Sequence, residues 1–434
     1  MIPLRGIGQR CVFLVLALIA ISIACLPVET SSPVVIVAAG LMIGLALSGT
    51  ANRFLTALFL LLFAAQVAFS LVVYNMVFVQ RGTGLLGDGW SYSESGYSIL
   101  TMWCGGMRNI DAITEHMMKI STSGNLGSYD FWNAIVYYFT GKSPLSLIFI
   151  NCLASSLAVI VIYHIAKELY NERAARIAAL LTAFWPSLFM WSIQNLKEPL
   201  SIFLTALLVW VLLKLKSHFR FYLLVLALLA SYALKELRLI SFLAFYAIIL
   251  PLSLILTLWK KHKLFFITLV FVAGACLVIA IQNHLHHGSL LGFLHYARST
   301  RAYGNTAFLS SFDISSPGKF TVFAPIALVF AWLAPFPWQI ANMSQISAIP
   351  EMIVYYLLLP SMFAGWGYII KHKIREGGII VVYIFVMMLV LAFLEGNIGT
   401  LFRHRAMVLP FMFILIGIGV ERSTAKKISK VRPV

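Results

Sequence analysis

Long, nearly uncharged apolar runs constrain this chain more than any other feature. Stretches near 11–27, 33–49, 54–79, 144–166, 176–193, 199–215, 219–234, 239–259, 264–281, 352–370, 378–394 and 407–420 read as helices that cross about 30 Å of hydrocarbon. Only a helix or a closed barrel satisfies every backbone N–H and C=O in lipid, and runs of this length favour helices. Across its 434 residues the chain is 61% hydrophobic and 11% charged, against about 45–50% and about 25% in soluble domains. No globular core hides that surplus, so a water-soluble enzyme, a disordered protein and a repeat solenoid are excluded. The expected fold is an all-α polytopic membrane protein with about twelve transmembrane helices and long outer loops that carry surface helices.

Basic residues number 32 and acidic residues 15. With twelve spans and both termini cytoplasmic, the inner face carries 20 basic and 4 acidic residues, the outer face 12 and 11. That is the bias that cytoplasmic loops show, so the charge encodes topology and requires no nucleic acid. The first run has a basic start (Arg5, Arg10), but Cys25-Leu26-Pro27 is a poor cleavage site and the run reads as a retained anchor. A further apolar run, 320–338, contains Pro325, Pro335 and Pro337. If it spanned, the basic loop Lys371–Arg375 would fall outside, so it reads as a proline-broken re-entrant or interfacial segment. Four of five cysteines (Cys11, Cys25, Cys152, Cys276) lie in apolar runs and only Cys104 in a polar loop, which leaves no disulfide framework.

These features divide the chain into 1–53, a two-helix membrane segment; 54–281, a transmembrane core with the outer loop 80–143; 282–351, an outer loop with the proline-rich run; and 352–434, the last spans and a basic cytoplasmic tail. The two long outer segments, 80–143 and 282–351, place chemistry on the non-cytoplasmic side.

Within 80–143, Asp88, Tyr92 and Gly96 recur every four residues, the spacing of one face of a surface helix that starts near Asp88. Glu94 lies on the same helix. A carboxylate there can cap the helix or take a proton from an acceptor hydroxyl. A short outer turn, Gln194-Asn195-Leu196-Lys197-Glu198-Pro199, precedes the next span. Pro199 suits a first helical turn and Glu198 suits its dipole, while Lys197 can meet a phosphate. In Lys235-Glu236-Leu237-Arg238 the opposite charges pair with one another. Arg403-His404-Arg405 stands against the charge bias on the outer side, where such residues are poor anchors and good ligands for an anionic head group. Arg298 and Arg301 are further candidates for phosphate. His284, His286 and His287 lack acidic or cysteine partners at ligand spacing, so no metal is expected there. Walker, Rossmann, HExxH and Gly-x-Ser-x-Gly motifs are absent from the sequence.

Together these residues resemble the GT-C superfamily of polytopic glycosyltransferases that use polyprenyl-phosphate sugars, which includes protein O-mannosyltransferases (glycosyltransferase family 39) and aminoarabinose transferases. The resemblance rests on Gly87-Asp88-Gly89-Trp90-Ser91-Tyr92, on Phe184-Trp185-Pro186-Ser187 through Trp191 with Lys197-Glu198-Pro199-Leu200, and on Arg403-His404-Arg405 before Val408-Leu409-Pro410-Phe411. It covers about 54–420. The long outer loop follows the third span here where the family usually has it after the first, implying two added N-terminal helices. The resemblance implies an inverting hexosyltransferase of the cell envelope, in the bacterial cytoplasmic membrane, with its site facing outward. Asp88 would be the general base and Glu198 would orient a hydroxyl. Lys197, Arg403, His404, Arg405, Arg301 and Arg238 would hold the lipid phosphate, and Tyr92 and Glu94 would lie by the acceptor. The acceptor would be a glycan, a lipid or a protein. No cofactor is firmly implied, because Gly89 stands where many members carry a second acid that a divalent cation would need.

Two rival readings follow from the same residues. A polysaccharide polymerase or ligase would expel a lipid diphosphate and would use similar outer arginines. A lipid or polysaccharide flippase would place ionisable groups within its spans. Here the span centres carry Gln66 and Asn151 as their main polar residues, each able to bond to a neighbouring helix.

Overall fold

Helices follow the apolar runs, and proline and asparagine set many of their ends. The computed structural model describes residues 28–48, 52–79, 87–107, 109–120, 128–253, 289–304, 306–310, 312–339, 346 and 348–431. The expected spans 11–27 and 264–281 and the histidines at 284, 286 and 287 lie outside the described residues. Within them the chain is helical throughout, with a lone antiparallel bridge between Ala307 and Asn397. It is a multi-pass, all-α membrane protein.

The described residues fall into two compact units, one within Met1–Ile160 and Leu188–Leu204, the other within Val161–Ser187 and Thr205–Val434. In chain order the helices are α1 (Val28–Ser48), α2 (Arg53–Val73, continued by a π-helical turn Tyr74–Val79), α3 (Gly87–Cys104), α4 (Ile110–Ile120), α5 (Ser128–Thr140), α6 (Pro144–Leu169), α7 (Glu172–Phe184) and α8 (Pro186–Ser192). There follow α9 (Glu198–Ser217), α10 (Phe221–Leu237), α11 (Leu239–Ala244, with a π-helical turn Phe245–Ile249), α12 (Leu290–Ser299), α13 (Pro317–Leu333), α14 (Ile349–His372), α15 (Ile374–Leu394), α16 (Ile398–Arg405) and α17 (Leu409–Val431).

Among the described residues, α2, α6, α9, α14 and α15 are long and apolar enough to cross a membrane, or up to seven spans if each bent pair counts as one. Of the twelve expected spans, 11–27 and 264–281 lie outside the described residues, and 33–49 and 239–259 lie only partly within them. The run 176–193 is not one straight helix. It bends by 56° between α7 and α8, where Pro186 has no N–H to continue the ladder and its ring forces Trp185 into an extended conformation. The last span is likewise preceded by α16 at a 59° bend. The run 320–338 also differs from expectation. Pro325 sits inside a continuous α13, and the helix stops only at Ala334, before Pro335.

Gln66, buried inside the first unit, is satisfied by neighbouring helices, as hydrocarbon requires. Gln66 donates to Ser155 Oγ at 3.1 Å and Ser192 Oγ at 2.7 Å, and its Oε1 accepts from Ser156. In the second unit, Glu351 at the start of α14 accepts from Trp185 Nε1 (2.6 Å), Ser187 N (2.7 Å) and Ser187 Oγ (2.7 Å). Those bonds satisfy the amide and hydroxyl that the break at Pro186 exposes.

Candidate functional site

In the first unit, the two outer turns singled out in the sequence meet. Helix α3 opens with Asp88 in its first turn, exposed, and lies along α5. The stripe Asp88–Tyr92–Gly96 has a physical cause. A Cβ at Gly96 would overlap the Cβ of Asn133, so the missing side chain lets α3 and α5 approach. Ser93 and the Tyr137 hydroxyl bond at 2.6 Å one turn away.

Asn195 ties this helix start to the turn before α9. Its Nδ2 donates to the Gly89 carbonyl at 3.1 Å and to Asn133 Oδ1 at 2.7 Å, and its Oδ1 accepts from the Tyr129 hydroxyl at 2.9 Å. The two protons of Asn151 Nδ2 reach the carbonyls of Gln194 and Leu196, both at 2.8 Å. The turn is therefore held from below by α5 and α6. A Cβ at Gly89 would stand 3.2 Å from the Asn195 carbonyl oxygen, so a larger side chain at this position would crowd the turn. Burial pushes the Tyr129 hydroxyl well above the ordinary tyrosine range, which keeps it a neutral donor. Above it, Tyr92 meets the Tyr129 ring edge-on at 5.0 Å, and Lys197 Nζ lies 5.9 Å from the Tyr92 ring centroid. Glu198 is buried in the first turn of α9, close enough to Tyr129 for their charges to interact.

Asp88, Tyr92, Lys197 and Glu198 thus belong to one corner of the first unit. Glu94 belongs to another face of α3, where Lys142 pairs with it at 3.1 Å. Asn195, Asn151, Asn133 and Tyr129 were not singled out as site residues. Their signal was present only as three asparagines and a tyrosine hydroxyl among apolar residues, polar groups that must find partners. The geometry gives Asn195 a testable role: Asn195→Ala unties the Gly89 carbonyl and removes a buried partner of Asn133 and Tyr129, which is expected to cost about 1–3 kcal/mol of stability. Thermal melting of the purified variant measures that loss.

The second unit gathers the basic residues. Asn397 caps α16 by accepting from Thr400 N at 3.1 Å, and its side chain also holds the preceding segment through Thr306 Oγ1 (2.8 Å) and the Tyr303 carbonyl (2.8 Å). At the head of this turn Glu395 is buried, and His404 Nδ1 lies 2.8 Å from its Oε1. Arg298, Arg301 and Arg238 are close enough for their charge to act on Glu395. Burial alone would raise the Glu395 carboxyl. The bond and charge of His404, with Arg301 and Arg238, outweigh it and hold the carboxyl below the usual range. Arg298 is buried over the rings of Phe308 and Phe323 and donates to the Phe308 carbonyl at 2.6 Å. Its guanidinium is lowered by burial to about 10 and remains charged at neutral pH. Arg301 donates to the Ala297 carbonyl at 2.6 Å.

Arg403, His404 and Arg405 do not form one ligand face. Successive helical residues are rotated by about 100°, so Arg405 points about 200° away from Arg403. Arg405 is 2% exposed, donates to the Trp332 carbonyl at the end of α13 at 3.2 Å, and lies over the Tyr355 ring at 4.9 Å. It anchors the turn, while Arg403 is half-buried in the last turn of α16. The expected Lys235–Glu236 pair is present at 3.1 Å. Glu395 was likewise not singled out, although it is visible in the sequence as an acid nine residues before His404. Among the described residues, no three His, Cys, Asp or Glu side chains gather closely enough to hold a metal ion.

The family-model comparison agrees with the resemblance read from the motifs. Residues 129–283 match the family model of dolichyl-phosphate-mannose-protein mannosyltransferase. That segment contains the turn with Lys197 and Glu198, and Asp88 and Arg403 lie on either side of it. No curated protein sequence matches. Among solved structures, the chain is similar to ArnT from Cupriavidus metallidurans bound to undecaprenyl phosphate, with 14% identity, 85% of this chain covered and a TM-score of 0.48. It is also similar to the archaeal oligosaccharyltransferase AglB from Archaeoglobus fulgidus in complex with an inhibitory peptide and a dolichol-phosphate, with 13% identity, 71% of this chain covered and a TM-score of 0.39. The chain spans 62% of the length of the first and 44% of the second.

Proposed function

We propose that this protein is an integral-membrane glycosyltransferase that moves a sugar from a polyprenyl-phosphate donor to an acceptor hydroxyl on the non-cytoplasmic side of a bacterial cytoplasmic membrane. The observation that supports it best is the corner of the first unit. There an exposed carboxylate at a helix start stands beside a lysine and a buried glutamate that a polar network fixes in place, and that lysine and glutamate lie within the segment that matches the mannosyltransferase family model.

In this reading Asp88 takes the proton from the acceptor hydroxyl. The oxygen attacks the anomeric carbon, the bond to the lipid phosphate breaks, and the configuration inverts. The leaving phosphate carries the electron pair. Positive charge for the leaving phosphate is the role proposed for Lys197 of the first unit and, as a cluster of their own, for Arg403, His404, Arg301 and Arg238 of the second; a single well-aimed donor is worth roughly 10²–10³ in rate. Glu198 orients a hydroxyl of donor or acceptor, Tyr92 borders the acceptor, and Arg405 anchors the turn that carries Arg403. Both termini lie in the cytoplasm, which puts the residues of the site outside. The acceptor is a glycan, a lipid or a protein.

The test is transfer by purified protein in vesicles offered sugars linked to either a polyprenyl monophosphate or a polyprenyl diphosphate. Turnover of the monophosphate donor is expected. Turnover of the diphosphate alone would make the protein a polymerase or ligase, and lipid movement across the vesicle that survives Asp88→Asn would make it a flippase. Arg403→Ala is expected to raise KM for the donor roughly 10-fold or more, the cost of one hydrogen bond to a charged group, with a smaller change in kcat. Equal KM values for variant and wild type would remove Arg403 from the donor site.

A further inference from the structure

The turn between α15 and α16 holds a carboxylate that the transfer reaction does not itself require. Glu395 is buried, one oxygen is 2.8 Å from His404 Nδ1, and the other, Oε2, accepts no hydrogen bond. Around it lie cations from several elements of the second unit. Arg238 joins α10 to α11, Arg298 lies in the last turn of α12, Arg301 follows it, and His404 lies in α16. Guanidinium groups gathered around Glu395, as those of Arg238, Arg298 and Arg301 are, disfavour a further positive charge on the imidazole bonded to it. A carboxylate in contact with the ring favours it. The glutamate therefore decides the charge of the histidine.

We propose that Glu395 is a positioning residue that keeps His404 cationic among the guanidinium groups of Arg238, Arg298 and Arg301, so that an imidazolium adds to the charge meeting a lipid phosphate. The inference rests on the phosphate-binding reading of this turn and deepens it. The turn becomes a phosphate site whose strength depends on pH, and the dependence is set by a residue that need not touch the lipid. As pH rises and His404 loses its proton, the site loses one positive charge and lipid-phosphate affinity falls. Removing the carboxylate moves that loss to lower pH.

The experiment measures equilibrium binding of undecaprenyl phosphate to the full-length protein in detergent between pH 5 and 9, for the wild type, Glu395→Gln, Glu395→Asp and His404→Gln. The second ionisation of the lipid phosphate is common to all four proteins, so differences among the profiles belong to the protein. Glu395→Gln is expected to shift the midpoint of the protein's loss of affinity down by about 1 pH unit or more. Glu395→Asp is expected to restore it in part, and His404→Gln to abolish the step. A purely structural role for Glu395 would weaken binding equally at every pH, and a wild-type midpoint in Glu395→Gln overturns the proposal. If that variant does not fold, a wild-type profile in His404→Gln overturns it instead. A wild type that binds no undecaprenyl phosphate at any pH would defeat the phosphate-binding reading, a different outcome from binding with an unmoved midpoint.

Discussion

If the proposed transfer chemistry holds, Asp88→Asn is expected to lower transfer by about 10²- to 10⁴-fold, the range that general-base catalysis contributes, and to leave donor affinity within about twofold. The substitution is chosen because it separates two roles that one carboxylate at a helix start can have. Asp88 stands exposed in the first turn of α3, where it can satisfy free N–H groups. Asparagine does that as well as aspartate, so a residue kept only as a cap would tolerate the change with little effect on melting temperature or rate. Asparagine has no basic oxygen of comparable strength, so a residue kept as a base would not. The alanine variant is less informative, because loss of a cap costs about 1 kcal/mol and mixes the two effects. The measurement is single-turnover transfer by purified protein, with donor binding and thermal melting followed in parallel. Wild-type turnover in Asp88→Asn would remove Asp88 from the chemistry and leave Glu198 as the acid to examine next.

Local signals made much of this legible in the sequence. The start of α3 near Asp88, the turn before α9 with Pro199, and the partners found by Gln66 and Asn151 all follow from rules that act within a few residues or from the cost of an unsatisfied amide in lipid. What escaped depends on residues far apart in the chain. Nothing in the spacing announces that Glu351 bonds Trp185 and Ser187 more than 160 positions away, or that Asn195 reaches Gly89. The bend at Pro186 had a visible cause, yet hydropathy alone ran straight through it. Arg405 shows a third kind of failure. Three basic residues in a row read as one cluster, but helical rotation turned Arg405 toward the end of α13, where burial and a carbonyl hold it.

Gly419→Ala is expected to destabilise the protein by about 3 kcal/mol or more, the largest structural effect among the single substitutions considered. Helices α14 and α17 cross with glycine on both sides. A Cβ at Gly419 would fall on the Ser361 carbonyl oxygen, and one at Gly365 would fall on the carbonyl oxygen of Leu415. Both obstacles are backbone, which cannot rotate aside as a side chain does. One added methyl therefore has to push the helices apart and open the contacts on either side of the crossing. Overpacking in an ordinary core costs about 1–3 kcal/mol because side chains yield. A crossing of small residues in a membrane protein has little else to hold it, since lipid supplies no hydrophobic drive between helices. The effect reaches the candidate site through connectivity: α17 follows directly from α16, which carries Arg403 and His404. Gly367, on the same helix as Gly365, has open space where its Cβ would be. Gly367→Ala should be neutral or stabilising by up to about 1 kcal/mol, because alanine favours the helix. Melting temperatures in detergent therefore fall for Gly419→Ala and hold or rise for Gly367→Ala, and a Gly419→Ala protein that melts with the wild type would mean that these helices do not cross at backbone contact.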